Sequence, residues 1–237
     1  MAELDFDIER LADYLHIDAA QVQRLAERGK IPGRRAAGAW RFSASEIHGW
    51  LENRIGLSDE RELLQVESFL SRASGGRAAD AVRIDDLLPI EAIEIPLAAK
   101  TRGSIIQTMV EVAARTDWLW DPKRMEEAVR QREEMHSTAL DIGVALLHPR
   151  RPLPTALERS FLALGRTDRG VPFGDARGRL TDLFFLICST DDREHLRVLA
   201  RLSRMLADGD FVARLRAAED PRAAREIVAA CDDAMAD

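Results

Sequence analysis

Cysteine is nearly absent: the 237 residues hold two, Cys188 and Cys231. They stand far apart, and neither keeps metal-ligand spacing with a histidine. A disulfide-stapled scaffold and a zinc motif are therefore excluded, and both thiols are expected to be reduced. Cys188 lies in an apolar run and reads as a core residue. No secretion signal is expected, because Met1 to Glu9 is acidic where a signal is basic. No apolar run approaches the ~18 residues of a membrane span. The expected location is the cytoplasm, with no membrane insertion. Positive charge is also in deficit: 34 Lys and Arg face 41 Asp and Glu, a formal net charge of −7. That balance excludes a chain-wide nucleic-acid coat and leaves room for a local basic patch. There is no internal repeat, and neither a cofactor nor a metal is expected.

What is present suits a soluble globular chain. Hydrophobic residues make up 46% and charged residues 32%, enough to bury a core. The length allows one large or two modest domains. Composition suggests three zones: a small domain over residues 1–56, a helical or flexible linker over 57–81 marked by the Ser71–Arg77 cluster of Ser, Gly and Arg, and a larger domain over 82–237.

In the first zone, Ile8, Leu11, Ala12 and Leu15 recur at helical spacing behind Asp7 as N-cap. Asp18 caps a second helix carrying Val22, Leu25 and Ala26, and Gly29 ends it. Residues 30–42, with Gly33, Gly38, Trp40 and Phe42, read as a β-hairpin. Ser43 or Ser45 caps a third helix containing Ile47, Trp50 and Leu51. Helix pair, hairpin and helix make a winged helix-turn-helix plan. Residues 21–41 hold six basic side chains, Arg24, Arg28, Lys30, Arg34, Arg35 and Arg41, against one acid, Glu27, a local balance of +5. Arg24 and Arg28 on a helix could lie in a major groove, with the Arg34–Arg35 hairpin tip on phosphates. Charge alone equally fits a solvated face of a protein-binding module. The stretch from Ile8 through Gly29-Lys-Ile-Pro-Gly33 and Trp40-Arg-Phe42 to Leu51 resembles the excisionase/MerR-like helix-turn-helix family. That resemblance implies DNA binding, by one copy or within a homodimer.

The third zone alternates strands with helices. Strands are expected at Ala92–Pro96, Ile142–His148, Leu157–Leu164 and Leu183–Cys188. Helices are expected from Ser104, from Pro122 to Met135, over Glu194–Leu206, over Asp210–Arg216 and over Asp220–Asp232. The fold class is α/β, a layered domain with a central mixed sheet flanked by helices.

Five histidines are present. His16, His48 and His136 read as surface or satisfied residues. His148 ends an apolar strand, with Ser137, Thr138 and Gly143 before it, Arg150 and Arg151 after it and Arg132 upstream. An imidazole nitrogen accepts a phosphoryl group reversibly, given donors for the phosphoryl oxygens and a partner that fixes its tautomer. The run Arg132-Glu133, Ser137-Thr-Ala-Leu-Asp-Ile-Gly-Val-Ala-Leu-Leu-His148 resembles, without a gap, the signature of mannitol/fructose-type IIA domains of the phosphotransferase system, which include the nitrogen-regulatory IIA proteins. Val171–Gly174, Leu180–Ile187 and Glu194-His195-Leu196 extend it.

The resemblance implies that His148 takes a phosphoryl group from the phosphocarrier protein HPr or a nitrogen-branch relative. It implies that His195 hydrogen-bonds in the site and that Arg132 stabilises the phosphoryl charge. Ser137, Thr138 and Gly143 are then expected to line the pocket. The sequence departs from the family at Ala139 and Asp141, where it has glycine, at Leu147 for proline, and at Pro149 for glycine. An inward Asp141 carboxylate is expected to repel a phosphoryl group, and Pro149 removes an N–H donor. The resulting expectation is a phosphoryl-accepting regulator coupled to DNA binding, a phosphohistidine transferase component by activity. The alternatives are a IIA-fold regulator that contacts a partner protein without phosphotransfer, and a plain phosphotransfer component whose N-terminal module docks protein.

Overall fold

The structure is a computed structural model that describes residues 5–15, 17–36, 38–44, 46–47, 49–51, 82–174 and 178–235. The expected linker, His16, Ser45 and His48 lie outside these residues. The chain divides into two compact units, one of Met1–Val82 with Leu199–Arg204 and one of Arg83–Val198 with Met205–Asp237.

In the N-terminal unit, α1 spans Ile8–Leu15 and α2 spans Ala19–Glu27. Asp18 accepts from Gln21 N at 2.7 Å, satisfying a donor that the first turn of α2 leaves open. Gly29 follows α2 at φ +62°, which glycine adopts without strain. Strands β1 (Arg34–Ala36) and β2 (Ala39–Arg41) form an antiparallel hairpin. Phe6 adds a two-bond bridge to Phe42. Residues 44, 46–47 and 49–51 are helical. Leu11, Val22, Phe42 and Ile47 are fully buried and make the small core. Gly33 is forced, because a Cβ there would sit 2.6 Å from the Phe42 ring.

The C-terminal unit starts with a short helix, α3 (Ile84–Leu87), and a 3-10 turn, then runs β3 (Ile93–Glu94), α4 (Arg102–Ala114), α5 (Pro122–Met135), β4 (Val144–Leu147), β5 (Phe161–Pro172), β6 (Leu180–Cys188), α6 (Asp192–Ala207), α7 (Gly209–Ala217) and α8 (Pro221–Ala234). Caps set the helix starts. Thr101 and Ser104 form a capping box on α4, Asp121 with Pro122 opens α5, and Asp191 accepts from Arg193 N and Glu194 N to open α6.

The sheet order is β3-β5-β6-β4. β3 is parallel to β5, β5 antiparallel to β6, and β4 parallel to β6. One face buries Ala145, Leu147, Phe161, Ala163, Phe184 and Leu186 under Ile105, Met109 and Val112 of α4 and Met125 and Val129 of α5. Each such large apolar side chain contributes roughly 1.5–3 kcal/mol when buried. The alternate residues, Leu162, Leu164, Leu183, Phe185 and Ile187, are buried on the opposite face. Being buried on both faces, β4 and the Leu183–Cys188 part of β6 read as continuous apolar runs.

The expected strand at Leu157–Leu164 is displaced. Leu157 makes only an isolated bridge with Leu119, and β5 starts at Phe161 and runs to Pro172. Its second half, Gly165 to Gly170, is polar and carries a register shift, so it lacks an apolar signature. No described helix is long and apolar enough to cross a membrane.

Candidate functional site

Because β4 and β6 are parallel neighbours, their C-terminal ends share one edge of the sheet. Loops at such ends are where α/β sheets place their chemistry. His148 follows β4 directly. Beyond the end of β6, Ser189 and Thr190 lead to Asp191, the N-cap of α6, and His195 sits in that helix's first turn with its N–H on Asp191 O at 3.1 Å. The two rings meet with centroids 5.1 Å apart and planes at 54°. His148 is 3% exposed and His195 1%.

Each ring has a partner on Nδ1. His148 Nδ1 lies 2.7 Å from the Leu146 carbonyl oxygen. A carbonyl can only accept, so Nδ1 carries the proton and the lone pair falls on Nε2. His195 Nδ1 lies 3.2 Å from Ser189 Oγ. A hydroxyl that donates there places the His195 proton on Nε2.

Arg132 sits in the last turn of α5, where Nη1 donates to His136 O at 2.9 Å. A cation at a helix C-terminus is favoured by the helix dipole. Both hydroxyls expected in the pocket are engaged elsewhere. Ser137 Oγ donates to Phe173 O at 3.2 Å and accepts from Ala139 N at 3.2 Å. Thr138 Oγ1 donates to Glu133 Oε2 at 2.8 Å. Gly143 stands at the other end of β4 from His148, roughly 15 Å along an extended chain. There it adopts φ +78°, and a Cβ would sit 2.7 Å from Arg216 Nη2. Arg216 clamps this turn, donating to Ile142 O at 2.6 Å and to both Asp182 oxygens at 2.9–3.0 Å. Gly143 is thus a turn residue, remote from the histidines. Asp141 is exposed on the same distant turn, with Arg179 donating to its carbonyl. The repulsion expected of an inward Asp141 therefore does not arise.

Sequence reasoning assigned no role to Glu133, Arg102 or Ser189. Glu133 is 2% exposed and binds Thr138 through backbone and side chain. Arg102 reaches from α4 to the Glu133 carbonyl and lies over the Phe173 ring at 5.6 Å. The signals for Glu133 were its adjacency to Arg132 and its i+4 spacing from Val129 and Met125, and for Ser189 there was none.

On the N-terminal unit, Arg24, Arg28 and Lys30 are exposed and, with Gln21 and Leu25, line a recess of about 430 Å³. Arg35 stacks over the Trp40 ring at 5.2 Å. Arg41 is half-buried, its Nη1 donating to Trp40 O at 3.2 Å. Arg34 pairs with Asp5 at 2.6 Å, so its charge is partly compensated.

A mixed sheet with one histidine at the end of β4 and a second in the first turn of α6, in a chain whose N-terminal unit is a winged helical one, defines a two-part protein of IIA type. The chain belongs to the family described as phosphoenolpyruvate-dependent sugar phosphotransferase system, EIIA 2, whose model matches residues 86–231. A helix-turn-helix domain model matches residues 6–55. A nitrogen regulatory protein of Bradyrhizobium diazoefficiens is 32% identical over 148 residues, covering 62% of this chain and 94% of its own. The nitrogen regulatory protein IIA-Ntr of Neisseria meningitidis superposes with a TM-score of 0.54 at 23% identity, over 61% of this chain and 98% of its own. The mannitol IIA of Escherichia coli, in a complex with phosphorylated enzyme IIB, superposes at 0.52 with 21% identity, over 61% and 99%. At these identities the structural likeness is one of fold.

Proposed function

We propose that the C-terminal unit accepts a phosphoryl group on His148 Nε2 from a phosphocarrier protein, and that the N-terminal unit binds DNA under its control. The supporting observation is the hydrogen bond from His148 Nδ1 to Leu146 O at 2.7 Å, with the second imidazole 5.1 Å away. In the transfer, the N–P bond of the donor phosphohistidine breaks as the bond to Nε2 forms, and the electron pair returns to the donor ring. The proton stays on Nδ1, donated to the Leu146 carbonyl, so no proton has to leave the ring as Nε2 takes the phosphoryl group. His195, with its proton on Nε2, donates to the incoming phosphoryl oxygens, and Ser189 holds that tautomer. Arg132 supplies positive charge from the end of α5. Ser137 and Thr138 shape the loop beside His148 through backbone and loop contacts. The phosphoryl group brings roughly −1.5 to −2 charge, offset by the positive charge of the ring that keeps its Nδ1 proton, so the net change is about −1.

For DNA, Arg24, Arg28 and Lys30 around the α2 recess offer phosphate and base contacts, and Arg35 and Arg41 on the hairpin extend the footprint. A change of about one net charge on the C-terminal unit is the signal passed to this surface.

The near-complete burial of both imidazoles favours a second reading, a IIA-fold regulator that contacts a partner protein and transfers nothing. Incubating the full chain with phosphoenolpyruvate, enzyme I and a phosphocarrier separates the two. The expected result is one acid-labile phosphoryl group, lost in His148→Ala. A folded wild-type chain that takes no label overturns the first reading and supports the second. Fluorescence anisotropy of phosphorylated and unphosphorylated chain on DNA tests the coupling.

A further inference from the structure

Glu133 is a carboxylate where elementary physics disfavours one. It is 2% exposed and sits in the last turn of α5, where the helix dipole opposes negative charge. A buried carboxylate is tolerated only when its oxygens are saturated with donors. Here they are. Thr138 N donates to Oε1 at 2.7 Å and reaches Oε2 at 3.1 Å, Thr138 Oγ1 donates to Oε2 at 2.8 Å, and Arg102 Nη2 stands 3.5 Å from Oε1. Every donor except Arg102 belongs to one residue, so the carboxylate acts as a clamp on Thr138.

Thr138 in turn holds β4. Its carbonyl accepts from Leu146 N at 3.2 Å, next to the Ala139–Ala145 bridge. In an extended strand the N–H and C=O of one residue point to the same side. The Leu146 carbonyl therefore faces the same way as its N–H, and that carbonyl receives His148 Nδ1 at 2.7 Å. A continuous chain runs from Glu133 through Thr138 and Leu146 to the ring. We infer that Glu133 is a positioning residue for His148: through Thr138 and the Leu146 peptide it fixes the imidazole as the Nδ1–H tautomer and so makes Nε2 the nucleophile. The functional consequence rests on His148 being the phosphoryl acceptor, and the tautomer consequence does not.

The test is Glu133→Gln in the full chain, with Thr138→Val and Thr138→Ser beside it. Glutamine keeps the shape but faces Thr138 Oγ1 with an amide donor. Long-range 1H–15N correlation reads the His148 tautomer directly, without any phosphoryl donor. The wild type and Thr138→Ser are expected to show a single Nδ1–H form, and Glu133→Gln and Thr138→Val a mixture. At saturating phosphocarrier the labelling rate is expected to fall about tenfold in Glu133→Gln, the equivalent of one charge-assisted hydrogen bond, with the carrier KM unchanged. A merely structural role would lower melting temperature and leave the tautomer alone. A folded Glu133→Gln chain with a single Nδ1–H form overturns the inference. If Glu133→Gln does not fold, Thr138→Val decides, and a single Nδ1–H form there overturns it equally. A wild-type chain that takes no phosphoryl group, with the tautomer still shifting in the variants, refutes the acceptor reading and leaves the positioning role standing.

Discussion

Ser189→Ala tests the division of labour between the two imidazoles with the smallest change available. The substitution deletes one oxygen, 3.2 Å from His195 Nδ1, where both residues are 1% exposed. The backbone contact at this position, Leu153 N to Ser189 O at 3.2 Å, does not involve the hydroxyl and survives. A neutral hydrogen bond contributes about 1 kcal/mol, with a spread of about half that either way. At 1.4 kcal/mol per tenfold, the tautomer ratio of His195 shifts by about fivefold, within a range of roughly 2- to 12-fold. If the Nε2–H form is what meets the phosphoryl oxygens, the rate at saturating phosphocarrier falls with the population of that form, by at most the same factor. Rapid-quench measurement of phosphohistidine formation reads it, with His148→Ala as the zero. A His195 whose Nε2–H fraction, read by long-range 1H–15N correlation, is the same in Ser189→Ala as in the wild type refutes the tautomer argument. Complete loss refutes it too, because one neutral bond cannot abolish transfer.

Gly143→Ala should destabilise the C-terminal unit by about 1–2 kcal/mol from the left-handed backbone alone, plus whatever Arg216 loses in moving, with the phosphorylation rate of the folded fraction unaffected; an intact melting temperature with a slowed rate would place Gly143 in the pocket after all. Asp232 is fully buried and accepts from Ile84 N at 2.6 Å and Asp85 N at 3.2 Å. Asp232→Ala leaves those donors without it, at about 2–3 kcal/mol, or roughly 5–10 °C in Tm, and calorimetry checks the figure. Burial pushes the Cys188 thiol well above its ordinary range, so its thiolate is scarce at pH 8. Peptide mapping after iodoacetamide should find Cys188 unmodified in native protein and modified in denaturant. Arg28→Ala should lower the salt slope of DNA binding by about one, the signature of a lost phosphate contact, in an anisotropy titration across salt; an unchanged slope moves the DNA face off α2.

Much of this was legible in sequence where burial is one-dimensional. β4 and the second half of β6 are apolar runs, and the capping residues Asp18, Pro122 and Asp220 mark helix starts that the structure keeps. β5 was misplaced because its Gly165–Gly170 stretch is polar, and pairing with β6 rather than local pattern makes it strand. That His148 and His195 meet follows from the parallel pairing of β4 with β6, a long-range fact that only the family resemblance foreshadowed. Glu133 was missed for a related reason. The last turns of α5 read Arg-Glu-Glu-Met, and only the i+4 spacing from Met125 and Val129 sets the buried Glu133 apart from the exposed Glu134. Only the fold turns one of them toward Thr138.

The same topology sorts the departures from the family signature by consequence. Asp141 belongs to the turn that Arg216 clamps, at the opposite end of β4 from the histidine, so its charge is spent far from any phosphoryl group. Ala139 pairs with Ala145, on the strand that Glu133 holds in place through Thr138. Leu147 is fully buried and pairs with Leu186, where a proline would give up its N–H inside the sheet. Pro149 is the one departure next to the ring that removes a donor, the backbone N–H after His148. A site short of one backbone donor leans harder on side chains for the phosphoryl charge. In the proposed transfer the weight therefore falls on His195, whose Nδ1 lies 3.2 Å from the Ser189 hydroxyl.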